Sequence, residues 1–192
     1  MSTPAKALAA ADVRRVLRHV GHGRSPVRDQ TMVLLSFKAG LRAGEIAGLD
    51  WTMVLGPAGD VAKTLLIAAG IAKYGRSRHI PLHQELRKAL ARLHDQSGRL
   101  RSGPVIRSQR GSSMRPRSVV NWFADVYHEL GFDGCSSHSG RRTFITQSAR
   151  LVAKTGGSLR DVQELAGHRA ITTTERYIAG NRDAQRKLVR ML

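Results

Sequence analysis

Between Val27 and Ala39 the chain becomes almost continuously apolar, through Met32, Val33, Leu34, Leu35 and Phe37, and Gly40 closes the run. A stretch of this length reads as a buried helix that stops at the glycine. Amphipathic segments lie on both sides of it. Val13, Val16, Leu17 and Val20 form an i, i+3, i+4, i+7 stripe within residues 6–20, followed by a break from Gly21 to Pro26. Leu86, Ala89, Leu90 and Leu93 form a second stripe, and Val119, Phe123, Val126 and Leu130 a third. Further helices are expected at Arg42–Leu49, His138–Val152 and Ser158–Ala166, the last with Ser158 and Asp161 placed to cap it. Thr172 and Glu175 have capping-box spacing for a final helix that would contain Tyr177.

Strands are expected at Trp51–Leu55 and Thr64–Ala69, flanking the turn Gly56-Pro57-Ala58-Gly59, and at His79–Leu82. The segment Ser97–Pro116 is rich in Gly, Ser and Arg and reads as loop, with a short strand at Val105-Ile106. The resulting fold class is mostly α with a small antiparallel β-sheet, an α+β domain, and 192 residues suit one such domain.

Thirty-two Lys and Arg against 14 Asp and Glu leave a net charge of 32 − 14 = +18. On a folded domain that excess points to a polyanion, and nucleic acid is the usual one. An anionic membrane surface would call for a basic amphipathic helix or a dense polybasic tract, whereas here the cations are spread from Arg14 to Arg190. No apolar run approaches the roughly 20 residues of a membrane helix. MSTPAKALAA lacks the pattern of a secretory leader, so a cytoplasmic, nucleoid-associated protein is expected. One cysteine excludes an intramolecular disulfide and argues against a thiolate metal site. Gly59–Thr64 ends in Lys-Thr but lacks the glycine that a phosphate loop needs before the lysine. His19 and His22 have no carboxylate or third ligand near them in sequence. No metal and no cofactor is therefore expected.

What remains is a set of cations and imidazoles in tight local contexts. In Gly40-Leu41-Arg42-Ala43-Gly44-Glu45, Arg42 stands at a helix start, with Glu45 at i+3 to orient its guanidinium. In Ser137-His138-Ser139-Gly140-Arg141-Arg142, His138 and Arg141 share one helix face and can contact one anion together. In Gly167-His168 and onward to Tyr177, a glycine ends a helix and a histidine follows in the turn. Singly, these are an ordinary ion pair, a solvated basic turn and a half-buried aromatic.

In this order, however, the contexts closely resemble the catalytic domain of tyrosine recombinases, the lambda-integrase-like site-specific DNA recombinases. The family pattern is an arginine after Gly-Leu, a lysine in a β-turn, His-x-x-Arg, Gly-His, and a tyrosine nine residues after that histidine. It is matched by Arg42, Lys73, His138 with Arg141, His168 and Tyr177. Ala72-Lys73-Tyr74-Gly75-Arg76-Ser77-Arg78-His79-Ile80-Pro81-Leu82 looks like the family's lysine hairpin. The resemblance covers roughly residues 25–180.

The resemblance implies that Tyr177 attacks a DNA phosphate to give a 3′-phosphotyrosyl link, with strand exchange and religation to follow. Neither ATP nor a metal would be needed, because the ester stores the bond. Arg42 and Arg141 would grip the phosphate, His138 and His168 would add hydrogen bonds or take the phenol proton, and Lys73 would protonate the leaving 5′-oxygen. A phenol ordinarily titrates near 10, so a phenolate nucleophile needs cations or a base beside it. Arg76, Arg78, Arg107, Arg110, Arg115, Arg117 and Arg142 are candidates for DNA backbone contact.

The implied partners are double-stranded DNA and further copies of the chain, as a homotetramer on two sites, with an accessory DNA-bending protein left open. Only about 25 residues precede the matching region, so the expectation is one catalytic domain over 1–192 without a separate N-terminal DNA-binding core. Such a chain is either a single-domain recombinase, resembling the short bacterial fimbrial-switch invertases, or a fragment or shortened relative. Residues 181–192 form a tail whose Leu188, Met191 and Leu192 would dock on a neighbouring protomer. Two other readings stay open: a DNA-binding regulator keeping the fold without turnover, and cleavage and religation of the type IB topoisomerase kind.

Overall fold

The apolar run folds as a helix, α2 (Pro26–Lys38), in which Asp29 and every residue from Thr31 to Phe37 are buried. Pro26 starts it, where a missing N–H costs nothing because the first-turn donors have no helical partner. A helix buried on all sides needs several neighbours. In the computed structural model these are α1 (Ala10–Val20), α3 (Ala43–Ala47), α4 (Gln84–Gln96) and α6 (Ser139–Leu151). Residues 5–177, with Arg186, Val189 and Arg190, are described by the structure. The predicted tail contacts of Leu188, Met191 and Leu192 lie outside the described residues.

The expected α+β class holds. Two strands, β1 (Thr64–Ile67) and β2 (Arg78–Pro81), pair antiparallel in the register Leu65↔Ile80 and Ile67↔Arg78. A two-stranded sheet is marginal alone, and this one is anchored by burial of Leu65, Ile67 and Ile80 in the main core. Further helices are α5 (Pro116–Glu129), packed on α3, then α7 (Leu159–Ala166) and α8 (Ile171–Glu175). As predicted, Ser158 and Asp161 form the capping box of α7.

Four local expectations fail for identifiable reasons. Trp51–Met53 is a 3-10 turn rather than a strand, because the Asp50 carboxylate accepts from Thr52 N at 2.9 Å and coils the chain. Trp51 then lies fully buried beside the His94 ring, 4.6 Å between centroids. Val105 and Ile106 are buried without forming a strand; only single bridges, Asp50↔Pro104 and Arg107↔Ser113, flank them. Helix α8 is capped at Ala170 rather than Thr172. It ends at Glu175, which leaves Tyr177 in the following turn rather than inside a helix.

A second, smaller apolar cluster joins α6 to α7. Ile145, Val162 and Ala166 are its buried centre, and Phe144, Ala149, Val152 and Tyr177 pack around them. This cluster, beside the end of α2, holds the candidate site together.

Candidate active site

Arg42 caps α3, and Glu45 sits in its first turn. The Glu45 carboxylate accepts from the Arg42 backbone N and from Arg42 Nη1, both at 2.9 Å, as the i+3 spacing predicted. It also accepts both terminal nitrogens of Arg78, again at 2.9 Å. Glu45 is only 1% exposed. Burial by itself would raise its carboxyl, but the hydrogen bonds and charges of Arg78 and Arg42 outweigh that and hold it below the ordinary carboxylate range.

Arg78, a candidate for DNA backbone contact by sequence, has a side chain that is 8% exposed and turned inward. Besides gripping Glu45, its Nε donates to the Leu165 carbonyl at 3.1 Å, tying the strand β2 to the end of α7. The sequence signal was present in Glu45, a carboxylate in a chain short of them, but nothing local pointed across 33 residues.

Arg141 is buried at 4% exposure on the first turn of α6. Its Nη1 donates to the Gly40 carbonyl at 2.7 Å and its Nη2 to the Ala166 carbonyl, so its plane is set by two other segments. Burial first, then the charges of Arg42 and Arg78, push its guanidinium down to about 9. It stays charged at neutral pH. Gly40 has a left-handed backbone, φ +63°, and a β-carbon there would strike the Phe144 ring. That glycine lets the carbonyl it carries meet Arg141.

Gly167 ends α7 in the same left-handed conformation, φ +60°, with the Arg78 guanidinium 3.1 Å from where a β-carbon would stand. The turn it makes delivers His168, whose Nδ1 shares a 2.9 Å hydrogen bond with the Thr174 hydroxyl. Thr174, buried on α8, is a positioning contact that sequence reasoning missed among three consecutive threonines. Burial and the charges of Arg141, Arg42 and Arg78 push His168 down to about 4. Burial, then Arg141, Arg42 and Lys73, also lower His138. His168 is thus a neutral imidazole at pH 7, one ring nitrogen of which is engaged by Thr174.

Tyr177 reaches the same locus. Its ring stacks on His168, 5.8 Å between centroids and 24° between planes. The Arg142 guanidinium lies over the ring at 5.4 Å. Lys73 and Arg76 stand on the β1–β2 connection and line a cleft of about 680 Å³ with Arg42, Arg78, His168 and Arg169. Tyr74, exposed, carries Lys73 Nζ 5.5 Å from its ring centre.

Six residues from five stretches of sequence therefore converge: Arg42, Lys73, His138 with Arg141, His168 and Tyr177. Five of the seven arginines expected on DNA, Arg107, Arg110, Arg115, Arg117 and Arg142, do not line this cleft. Arg110, Arg115 and Arg117 are exposed. Arg107 is partly buried, and its Nε has no partner among the described residues. Those residues contain no cluster of three or more His, Cys, Asp or Glu able to hold a metal. None of their helices is long and apolar enough to cross a membrane.

The family model described as the phage integrase family matches residues 6–183. The chain belongs to this family. Among its relatives, the tyrosine recombinase XerC of Nitrobacter winogradskyi is 32% identical over 167 residues, covering 82% of this chain and 48% of the relative. XerC of Pelobacter propionicus is 29% identical over 153 residues, covering 79% and 47%. The chain spans about half the length of these relatives. Its fold matches the Tn1549 transposon integrase in complex with a circular intermediate DNA, TM-score 0.79 at 19% identity, over all of this chain and 67% of that one. It also matches XerA recombinase, TM-score 0.71 at 21% identity, over all of this chain and 66% of that one. The α+β fold is thus the one these integrases and recombinases share.

Proposed function

We propose that this chain is the catalytic domain of a site-specific DNA recombinase that cuts and rejoins duplex DNA through Tyr177. The observation that carries the reading is the convergence itself: two fixed guanidiniums and two imidazoles collected beside one tyrosine. A phosphodiester under attack gathers negative charge on its non-bridging oxygens, and donors already aimed there lower the barrier without reorganising. Arg141, held by two carbonyls, and Arg42, held by Glu45, are such donors.

In the proposed step the Tyr177 hydroxyl oxygen bonds to phosphorus as the bond from phosphorus to the 5′-oxygen breaks. The phenol proton passes to one of the two imidazoles, and Lys73 delivers a proton to the departing 5′-oxygen. The product is a 3′-phosphotyrosyl ester and a free 5′-hydroxyl. Attack by the 5′-hydroxyl of another strand reverses the chemistry and joins the exchanged ends. Exchanging two duplexes requires four cuts, hence four copies of a chain with one such tyrosine. The Tn1549 integrase structure, bound to circular intermediate DNA, supports duplex DNA as the substrate. So does the charge of +18, which also favours residence on the nucleoid.

The test uses nicked duplexes selected for binding from a randomised pool, incubated with the chain in a chelator and resolved under denaturing conditions. A protease-sensitive covalent adduct on the strand 5′ of the break is expected, and it should vanish in Tyr177→Phe. An adduct that persists in that variant means another nucleophile. Duplexes bound but never cut would instead favour a binding regulator.

A further inference from the structure

We infer that Arg142 is a positioning residue for the nucleophile rather than a contact to the DNA backbone. The inference rests on the reading of Tyr177 as the attacking group. Consecutive arginines at the start of α6 face different tasks. Arg141 is buried and fixed by the Gly40 and Ala166 carbonyls. Arg142 is only partly exposed, forms no ion pair among the described residues, and lies over the Tyr177 ring at 5.4 Å. That distance is within the range where a guanidinium is held by the negative face of an aromatic quadrupole.

Three kinds of contact then define where the ring sits. His168 stacks on it, the α6–α7 apolar cluster packs along it, and Arg142 covers it. Apolar packing alone is non-directional and lets a ring slide. The cation adds direction, because the attraction falls away once the guanidinium leaves the face. The Arg142 amide donates to the His138 carbonyl, so the backbone that carries this cation is also bonded to the candidate histidine. A nucleophile in the turn just past α8 needs such a clamp more than one inside a helix would.

The experiment uses the three tyrosines as separate reporters. The full chain is labelled with 3-fluorotyrosine, and the Tyr177 fluorine resonance is assigned by its loss in Tyr177→Phe. Tyr127, 2% exposed in the main core, monitors the fold, and Tyr74 monitors the lysine loop. In Arg142→Gln the Tyr177 resonance should move towards that of free fluorotyrosine while Tyr127 stays in place. The single-turnover rate of adduct formation at saturating duplex should fall about tenfold, with DNA affinity changed less than about twofold and partial recovery in Arg142→Lys. An unmoved Tyr177 resonance overturns the inference. So does loss of affinity and salt dependence with an unchanged rate at saturation, the behaviour of a backbone contact. If the parent chain forms no adduct, the recombinase reading fails, and the fluorine signal still decides whether Arg142 holds the ring.

Discussion

Glu45→Gln isolates the electrostatic keystone of the site. The substitution preserves shape and one acceptor oxygen but removes the single negative charge between Arg42 and Arg78. The three side chains are 17%, 8% and 1% exposed for Arg42, Arg78 and Glu45, so water compensates little of the loss. Removing one partner of a buried pair costs about 3–5 kcal/mol because the other charge is left unmatched. Glutamine retains an acceptor and Arg42 is partly solvated, so the lower end, about 3 kcal/mol, is expected. Against a typical domain stability of about 5–15 kcal/mol, that is a large share.

Urea unfolding at pH 7, followed by circular dichroism, measures it, and Arg78→Met supplies a cycle. The double variant should lose less than the sum of the singles, by at least about 1 kcal/mol, since it no longer leaves Arg78 buried and unmatched. The sign with pH is also set. Glu45 is held below its unfolded value, so its contribution is full above about pH 4.3 and fades as pH falls through the folded value. The Gln variant should lack that acid-side loss. A cost of under about 1 kcal/mol, or strict additivity in the cycle, would refute the keystone role.

Other expectations follow from the same geometry. His168 is held near 4 against an ordinary value of about 6.5, so the unfolded chain binds its proton first. Stability should be full above about pH 6.5 and decline towards pH 4, and His168→Gln should flatten that slope in urea midpoints compared at neutral and mildly acid pH. Gly167→Ala places a side chain at φ +60° and against Arg78, and should lose about 1–2 kcal/mol in the same measurement. Lys73→Ala should slow adduct formation about 10²–10⁴-fold on ordinary DNA. It should recover on a duplex whose scissile 5′-oxygen is sulfur, because a thiolate leaves without an acid. Equal defects on both substrates would remove Lys73 from the acid's role.

How much was legible depends on the range of each interaction. Helices α2, α4, α5 and α7 were readable because apolar spacing and the Ser158–Asp161 cap are local. Trp51 was misread because a tryptophan followed by Thr-Met-Val-Leu looks like a strand until Asp50 is seen to coil it. Likewise Thr172 had the right spacing for a cap, but the Gly167 turn and the Thr174 hydrogen bond to His168 moved the start to Ala170. Lys73, Arg42, His138, Arg141, His168 and Tyr177 were found as an ordered set, each within a few residues of its own signal.

Chain order alone established the chemical inventory: which cations, imidazoles and phenol are available, on which kinds of element, and how large the excess of positive charge is. Residue type and short spacing suffice for that, because they act within one or two turns of helix. Tertiary structure decided the assignments. Arg78 looked like Arg76 in sequence but turned inward to Glu45, while Arg142 came to rest on the Tyr177 ring. Those outcomes depend on which distant segments share a buried volume. There a charge must find its partner, because water cannot.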